Sequence, residues 1–195
     1  VMRELMLGPK RFSDLRESLP GISANVLTQR LEGLESAGIL VRRKLPPPAA
    51  VQVYELTEWG YESEPIFQAL GRWAARSPAH DPALPFSTAS LVLSLRTMFN
   101  PERAKGMDAR IGFRIGEETF LAHLSDGRIE IGRAALDEAE VILTGLPPVL
   151  AGAIYGGQPL EALERTGALR VEGDRDLTRR FVSLFPLPKK ASKPA

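Results

Sequence analysis

Leu27, Leu31 and Leu34 recur at helical spacing through a segment that opens at Ser23 and closes just before Gly38. The pattern predicts an amphipathic helix over 23–37, with Ser23 capping its amino end and Gly38 supplying the left-handed residue past its other end. Upstream, Gly8-Pro9 ends a first helix, because proline cannot continue it. Ser13 is placed to cap a short helix running to about Leu19, and Pro20-Gly21 forces a tight turn into the Ser23 helix. Two helices joined so closely predict a helix-turn-helix.

Downstream the period changes. Residues 39–44 and 52–56 read as strands around a stiff tip, Leu45-Pro46-Pro47-Pro48-Ala49-Ala50, and together make a β-wing. A longer helix follows Thr57, with Trp59, Ile66, Leu70 and Trp73 near one face and Pro65 bending it. That stripe either packs on its own domain or meets a second copy of the chain. The stretch 77–85 holds three prolines in nine residues, which opposes helix and sheet and marks a linker.

Beyond it, Leu91, Leu95, Met98 and Phe99 predict a helix over 87–99, and two stretches then alternate with period 2. These are Ile111, Phe113, Ile115 and Phe120, Ala122, Leu124, with Asp126-Gly127 as a hairpin turn into 129–131. A further strand is expected over 140–144, and helices over 147–155 and 174–185, the latter capped by Asp174. The expected fold class is α+β: a winged helix-turn-helix domain over 1–76, a Pro-rich linker over 77–85, an α+β domain with an antiparallel sheet over 86–188, and a flexible tail over 189–195.

Composition narrows the function classes. Hydrophobic residues make up 44% and charged residues 25%, as in an ordinary soluble domain. No apolar run approaches the ~20 residues needed to span a bilayer, and Val1-Met2-Arg3-Glu4-Leu5 lacks the charged start and apolar block of a leader. A cytoplasmic protein with no membrane association is expected. The chain has no cysteine, and its two histidines, His80 and His123, lie far apart in sequence. Disulfides, thiolate metal sites and histidine-based catalysis therefore lack their parts, so no enzyme activity, catalytic residue, metal or cofactor is expected. Gly156-Gly157 lacks the Gly-Lys-Ser/Thr that would make it a phosphate loop.

Net charge is only +1, but it is unevenly placed. Residues 1–53 carry eight basic and five acidic side chains, whereas residues 77–195 carry fifteen of each. Lys10, Arg11, Arg42, Arg43 and Lys44 could position the protein on DNA phosphates without reading sequence. On the Ser23 helix, Asn25, Thr28 and Gln29 point away from the leucine line, and Asn and Gln can pair bidentately with adenine edges in a major groove. Arg30, on the flank, could brace a phosphate. Any surface helix can carry such residues, and the cationic wing beside this one is what tips the reading toward double-stranded DNA.

The run from Gly8 to Leu15, then Pro20-Gly21-Ile22-Ser23, Leu27-Thr28-Gln29-Arg30-Leu31, Leu34-Glu35, Ala37-Gly38 and Tyr54-Glu55-Leu56-Thr57 resembles the HxlR-type winged-helix regulators. The resemblance covers about residues 1–76. It implies a homodimeric transcription factor with the Ser23 helix in the major groove, and an amino-terminal helix that lies ahead of Val1. Some members sense oxidants through a cysteine, a residue this chain does not have.

The second half resembles the sterol-carrier-protein-2-like fold in element order and at 95–99, 126–128, 139–145 and 167–174. That resemblance implies an apolar tunnel, which Phe113, Phe120, Leu124, Leu150, Ile154, Phe181 and Phe185 would line. The same residues would serve equally as an ordinary filled core. The expected function is a regulator reading an inverted repeat, whose second domain senses a hydrophobic small molecule or supports the dimer. The alternative is a lipid or acyl-chain carrier whose winged helix mediates protein contacts.

Overall fold

The computed structural model describes residues 1–81 and 84–192 and divides the chain into two compact units at Leu70–Gly71. Pro82 and Ala83 of the expected linker, and residues 193–195 of the expected tail, lie outside the described residues.

The first unit runs α1 (Met2–Leu5), α2 (Phe12–Ser18), α3 (Ala24–Ser36), β1 (Leu40–Lys44), β2 (Gln52–Leu56), α4 (Glu58–Tyr61) and the start of α5 (Glu64–Ala74). Leu5, Leu15, Leu27, Leu31, Leu40 and Leu56 form its core. Ser23 caps α3 as its spacing predicts, its Oγ accepting from the Val26 N–H at 3.2 Å. Gly38 takes φ +72°, and the Ile39 N–H bonds back to the Leu34 carbonyl at 2.9 Å, closing the helix and launching β1.

Two details differ from the expectations. Ser13 does not cap α2, which starts two residues earlier, at Phe12, with Arg11 at the cap position. The Asp14 carboxylate, three residues in, reaches back to accept the Arg11 N–H at 3.2 Å and takes a second bond from the Ser13 hydroxyl at 3.0 Å. Nor does Pro65 bend one long helix; the helix stops after Tyr61 and restarts at Glu64. Proline has no N–H for the carbonyl four residues back and its ring crowds that turn, so Pro65 sits inside the first turn of α5, where no N–H is required.

The second unit takes up the last turns of α5, ahead of the expected boundary: Arg72 donates to the Thr97 carbonyl, and the Lys190 ammonium donates to the carbonyls of Ala75 and Ser77 at 3.1 and 3.2 Å. Then follow α6 (Thr88–Met98), β3 (Ala109–Ile115), β4 (Glu118–Ser125), β5 (Arg128–Arg133), β6 (Val141–Gly145), α7 (Pro147–Ile154), α8 (Leu160–Arg165), β7 (Leu169–Gly173) and α9 (Arg175–Val182). The strands form one sheet in the order β5-β4-β3-β6-β7. Asp126 and Gly127 both take positive φ, 50° and 70°, as a two-residue hairpin between β4 and β5 requires. Asp174 caps α9 by accepting from the N–H groups of Asp176 and Leu177.

The sheet is not wholly antiparallel. β6 lies parallel to β3, with Ile111 opposite Val141 and Phe113 opposite Leu143, while the other pairings are antiparallel. The reason is connectivity: the chain returns from β5 through residues 134–140 and enters beside β3 on the flank that β4 leaves open. α8 and β7, of six and five residues, are added between the helices expected over 147–155 and 174–185.

Candidate nucleic-acid interface

α3 turns Leu27 and Leu31 into the core and leaves Asn25, Val26, Thr28, Gln29 and Arg30 exposed. Asn25 and Gln29 stand four residues apart, so they share one face, and Val26, three before Gln29, joins them. Periodicity alone assigns Val26 no role, because it follows only the leucine line; the side chain is 43% exposed in the first turn. The first two turns thus offer two amides and one methyl-bearing side chain on this face, the chemistry that reads adenine edges and thymine methyls.

The wing is built by β1 and β2, paired from Leu40↔Leu56 to Lys44↔Gln52. Strand alternation sends neighbours to opposite faces. Leu40, Arg42 and Lys44 share one face with Tyr54 and Leu56, and Arg43 lies on the other with Val53 and Glu55. The three cations of β1 therefore lie on two faces of the wing.

Both wing arginines also hold carboxylates of their own unit. Arg42 donates to Glu35 at 2.6 Å, from the last turn of α3, and its guanidinium lies 5.6 Å from the centre of the Tyr54 ring. The hydrogen bond and charge of Glu35 raise the pKa of Arg42 above its ordinary value. Arg43 pairs with Glu55. Lys44 and Arg11 are exposed, whereas Lys10 is buried, its ammonium donating to the Ser18 hydroxyl at 3.3 Å while its backbone bridges to Tyr54. Sequence reasoning missed Glu35 and Glu55. Glu55 was within reach of it, since hairpin register puts Glu55 opposite Val41, diagonal to Arg43.

The residues named for a ligand tunnel are all buried in the second unit. Phe113 projects from β3, Phe120 and Leu124 from β4, Leu150 and Ile154 from α7, and Phe181 from α9, with Phe185 just beyond. Ring centres of Phe113 and Phe181 are 5.8 Å apart, those of Phe181 and Phe185 5.0 Å, and those of Phe185 and Phe99 6.1 Å. Elsewhere on this unit an open depression of about 550 Å³ is bordered by Pro101, Lys105, Asp108 and Asp126. Among the described residues there is no cluster of three or more His, Asp or Glu side chains that could hold a metal ion, and no helix long and apolar enough to cross a membrane.

The chain is similar in structure to the UbiJ-SCP2 ubiquinone synthesis protein, at 20% identity and a TM-score of 0.39, covering 67% of this chain and 93% of that one. For the first half, the HTH-type transcriptional regulator YodB of Bacillus subtilis is 39% identical over 74 residues, 38% of this chain and 66% of YodB. YvaP of the same organism, an uncharacterized HTH-type transcriptional regulator, is 34% identical over 38% of this chain and 68% of its own length. The chain thus spans about two thirds of the length of these curated relatives. The HxlR-like helix-turn-helix family model matches residues 1–81, the stretch that carries α1 to α5 and the wing, and the chain belongs to that family.

Proposed function

We propose that the chain is a sequence-specific transcriptional regulator that binds double-stranded DNA as a homodimer. In this reading α3 enters the major groove, Asn25, Thr28 and Gln29 face base edges, and Ser23, Arg11, Arg30 and the wing cations lie toward phosphates. Lys10, held to Ser18, serves the fold before it serves DNA. The observation that carries the reading is the exposed face of α3 that bears Asn25, Thr28 and Gln29, set against its buried leucines. Action on DNA implies a cytoplasmic protein.

Asn25→Ala or Gln29→Ala is expected to relax preference at one or two base pairs, costing about 1–3 kcal/mol where the contact is bidentate. Selection from a randomised duplex pool reads this directly, and unchanged preference would reject the assignment. Lys44→Ala should instead weaken binding to all sequences and flatten the plot of log K against log salt by about 0.9, the share of one phosphate contact.

The dimer is supported by the apolar side chains left on α4 and α5: Trp59, Ile66, Leu70 and Trp73 are each more than half exposed. A second copy covering them would set two α3 helices on half-sites of an inverted repeat about one helical turn, ~34 Å, apart. Ile66→Glu with Leu70→Glu should shift sedimentation from dimer to monomer, and a dimer that persists would remove this surface from the proposal.

For the α+β domain over 86–188, joined in this reading to the winged helix through the Pro-rich stretch 77–85, the roles are effector sensing and dimer support. The ring contacts among Phe113, Phe181 and Phe185 favour support, since a hydrophobic effector would have to displace one of them. Native mass spectrometry of the purified chain tests this: a retained lipid would restore sensing, or carriage if duplex binding is absent.

A further inference from the structure

The geometry points to Glu35 and Glu55 as intramolecular competitors for DNA phosphate that cap the affinity of the wing; this rests on the DNA-binding reading above. Each carboxylate holds one of the two wing arginines, and the two pairs lie on opposite faces of β1, so they act separately. Glu35 comes from the end of α3 and Glu55 from β2, so each is positioned by an element other than the one that carries its arginine.

A guanidinium that leaves its carboxylate for a phosphate gives up one charge-assisted hydrogen bond to gain another. The carboxylate left behind takes up a cation from solution. That uptake offsets the counterion released from the DNA, so the contact adds little to the salt dependence of binding. With glutamine in place of glutamate, the arginine reaches phosphate without this exchange, and the counterion release is felt in full.

The test is a salt titration of the full chain on a random-sequence 30-base-pair duplex, which isolates the phosphate contribution. Glu35→Gln and Glu55→Gln are each expected to tighten binding about two- to fivefold at low salt, the range an exposed ion pair supports. Each should also steepen the salt slope by up to about 0.9. In the backgrounds Arg42→Gln and Arg43→Gln, respectively, the same glutamate changes should have no effect. Unchanged or weaker binding by the folded single variants would overturn the inference. So would equal tightening in the arginine-deleted backgrounds, since that outcome reflects net charge and not the pairs. Should removal of the α3–β1 bridge unfold Glu35→Gln, Glu55→Gln still decides the matter. A wild-type chain that binds no duplex at any salt would instead sink the DNA-binding reading itself.

Discussion

Phe181→Ala is expected to lower the stability of the second unit by about 3–5 kcal/mol, the usual cost of truncating a buried phenylalanine. Phe181 is fully buried on α9 and touches Phe113 of the sheet on one side and Phe185 on the other. Its ring therefore links the closing helix to the central strand. Removing it forfeits the transfer energy of the side chain and leaves a cavity that helix and sheet only partly refill. Hydrogen exchange of the β3 and β4 amides, followed in the full chain, reads the change for this unit alone. The experiment also separates a filled core from a hollow one. A destabilisation below about 1 kcal/mol would show that the ring borders empty space, and the ligand-sensing role would then gain what the packed rings now deny it.

Gly60→Ala should be the second large effect, an expected net destabilisation of about 2 kcal/mol. Gly60 lies in α4 against the start of the wing, and a Cβ there would overlap the Ile39 carbonyl oxygen. That oxygen belongs to the backbone and cannot rotate away; it also accepts the Thr57 N–H at 3.0 Å and the Thr57 hydroxyl at 3.1 Å. Overpacking of this kind costs about 1–3 kcal/mol, occasionally more, and the better helical propensity of alanine recovers up to about 1. Because Ile39 leads into β1, the wing should shift with it, so duplex affinity should fall alongside the melting temperature. If both were retained, Gly60 would be ruled out as the residue that seats the wing.

Local chemistry makes much of this molecule legible without coordinates. Ser23, Gly38, Asp174 and Asp126-Gly127 each fix a terminus or turn through their own backbone preferences or a single side-chain bond, and each acts as expected. Expectation and structure part where two signals compete. Ser13 loses the cap position because the helix already starts at Phe12, with Asp14 at its third position accepting the Arg11 N–H, and Pro65 breaks a helix that its apolar stripe would continue. The parallel pairing of β6 with β3 has no local signature, since strand partners are chosen by the whole sheet. In the interface, exposure of Asn25 and Gln29 follows from the leucine period. The burial of Lys10 and the pairing of both wing arginines do not, because they depend on which residues the hairpin and α3 bring together.

The interior position of β3 bears on how the chain is made. β4 and β5 follow it within a few residues, but β6 and β7 arrive only with residues 141–173. A chain cut after Arg133 would hold a three-strand meander with β3 as an open margin, its amides and carbonyls bare and Ile111, Phe113 and Ile115 behind them. Such a margin recruits any extended peptide. The segment 141–173 is therefore the part that seals the domain, and a chain cut after Arg133 would be insoluble.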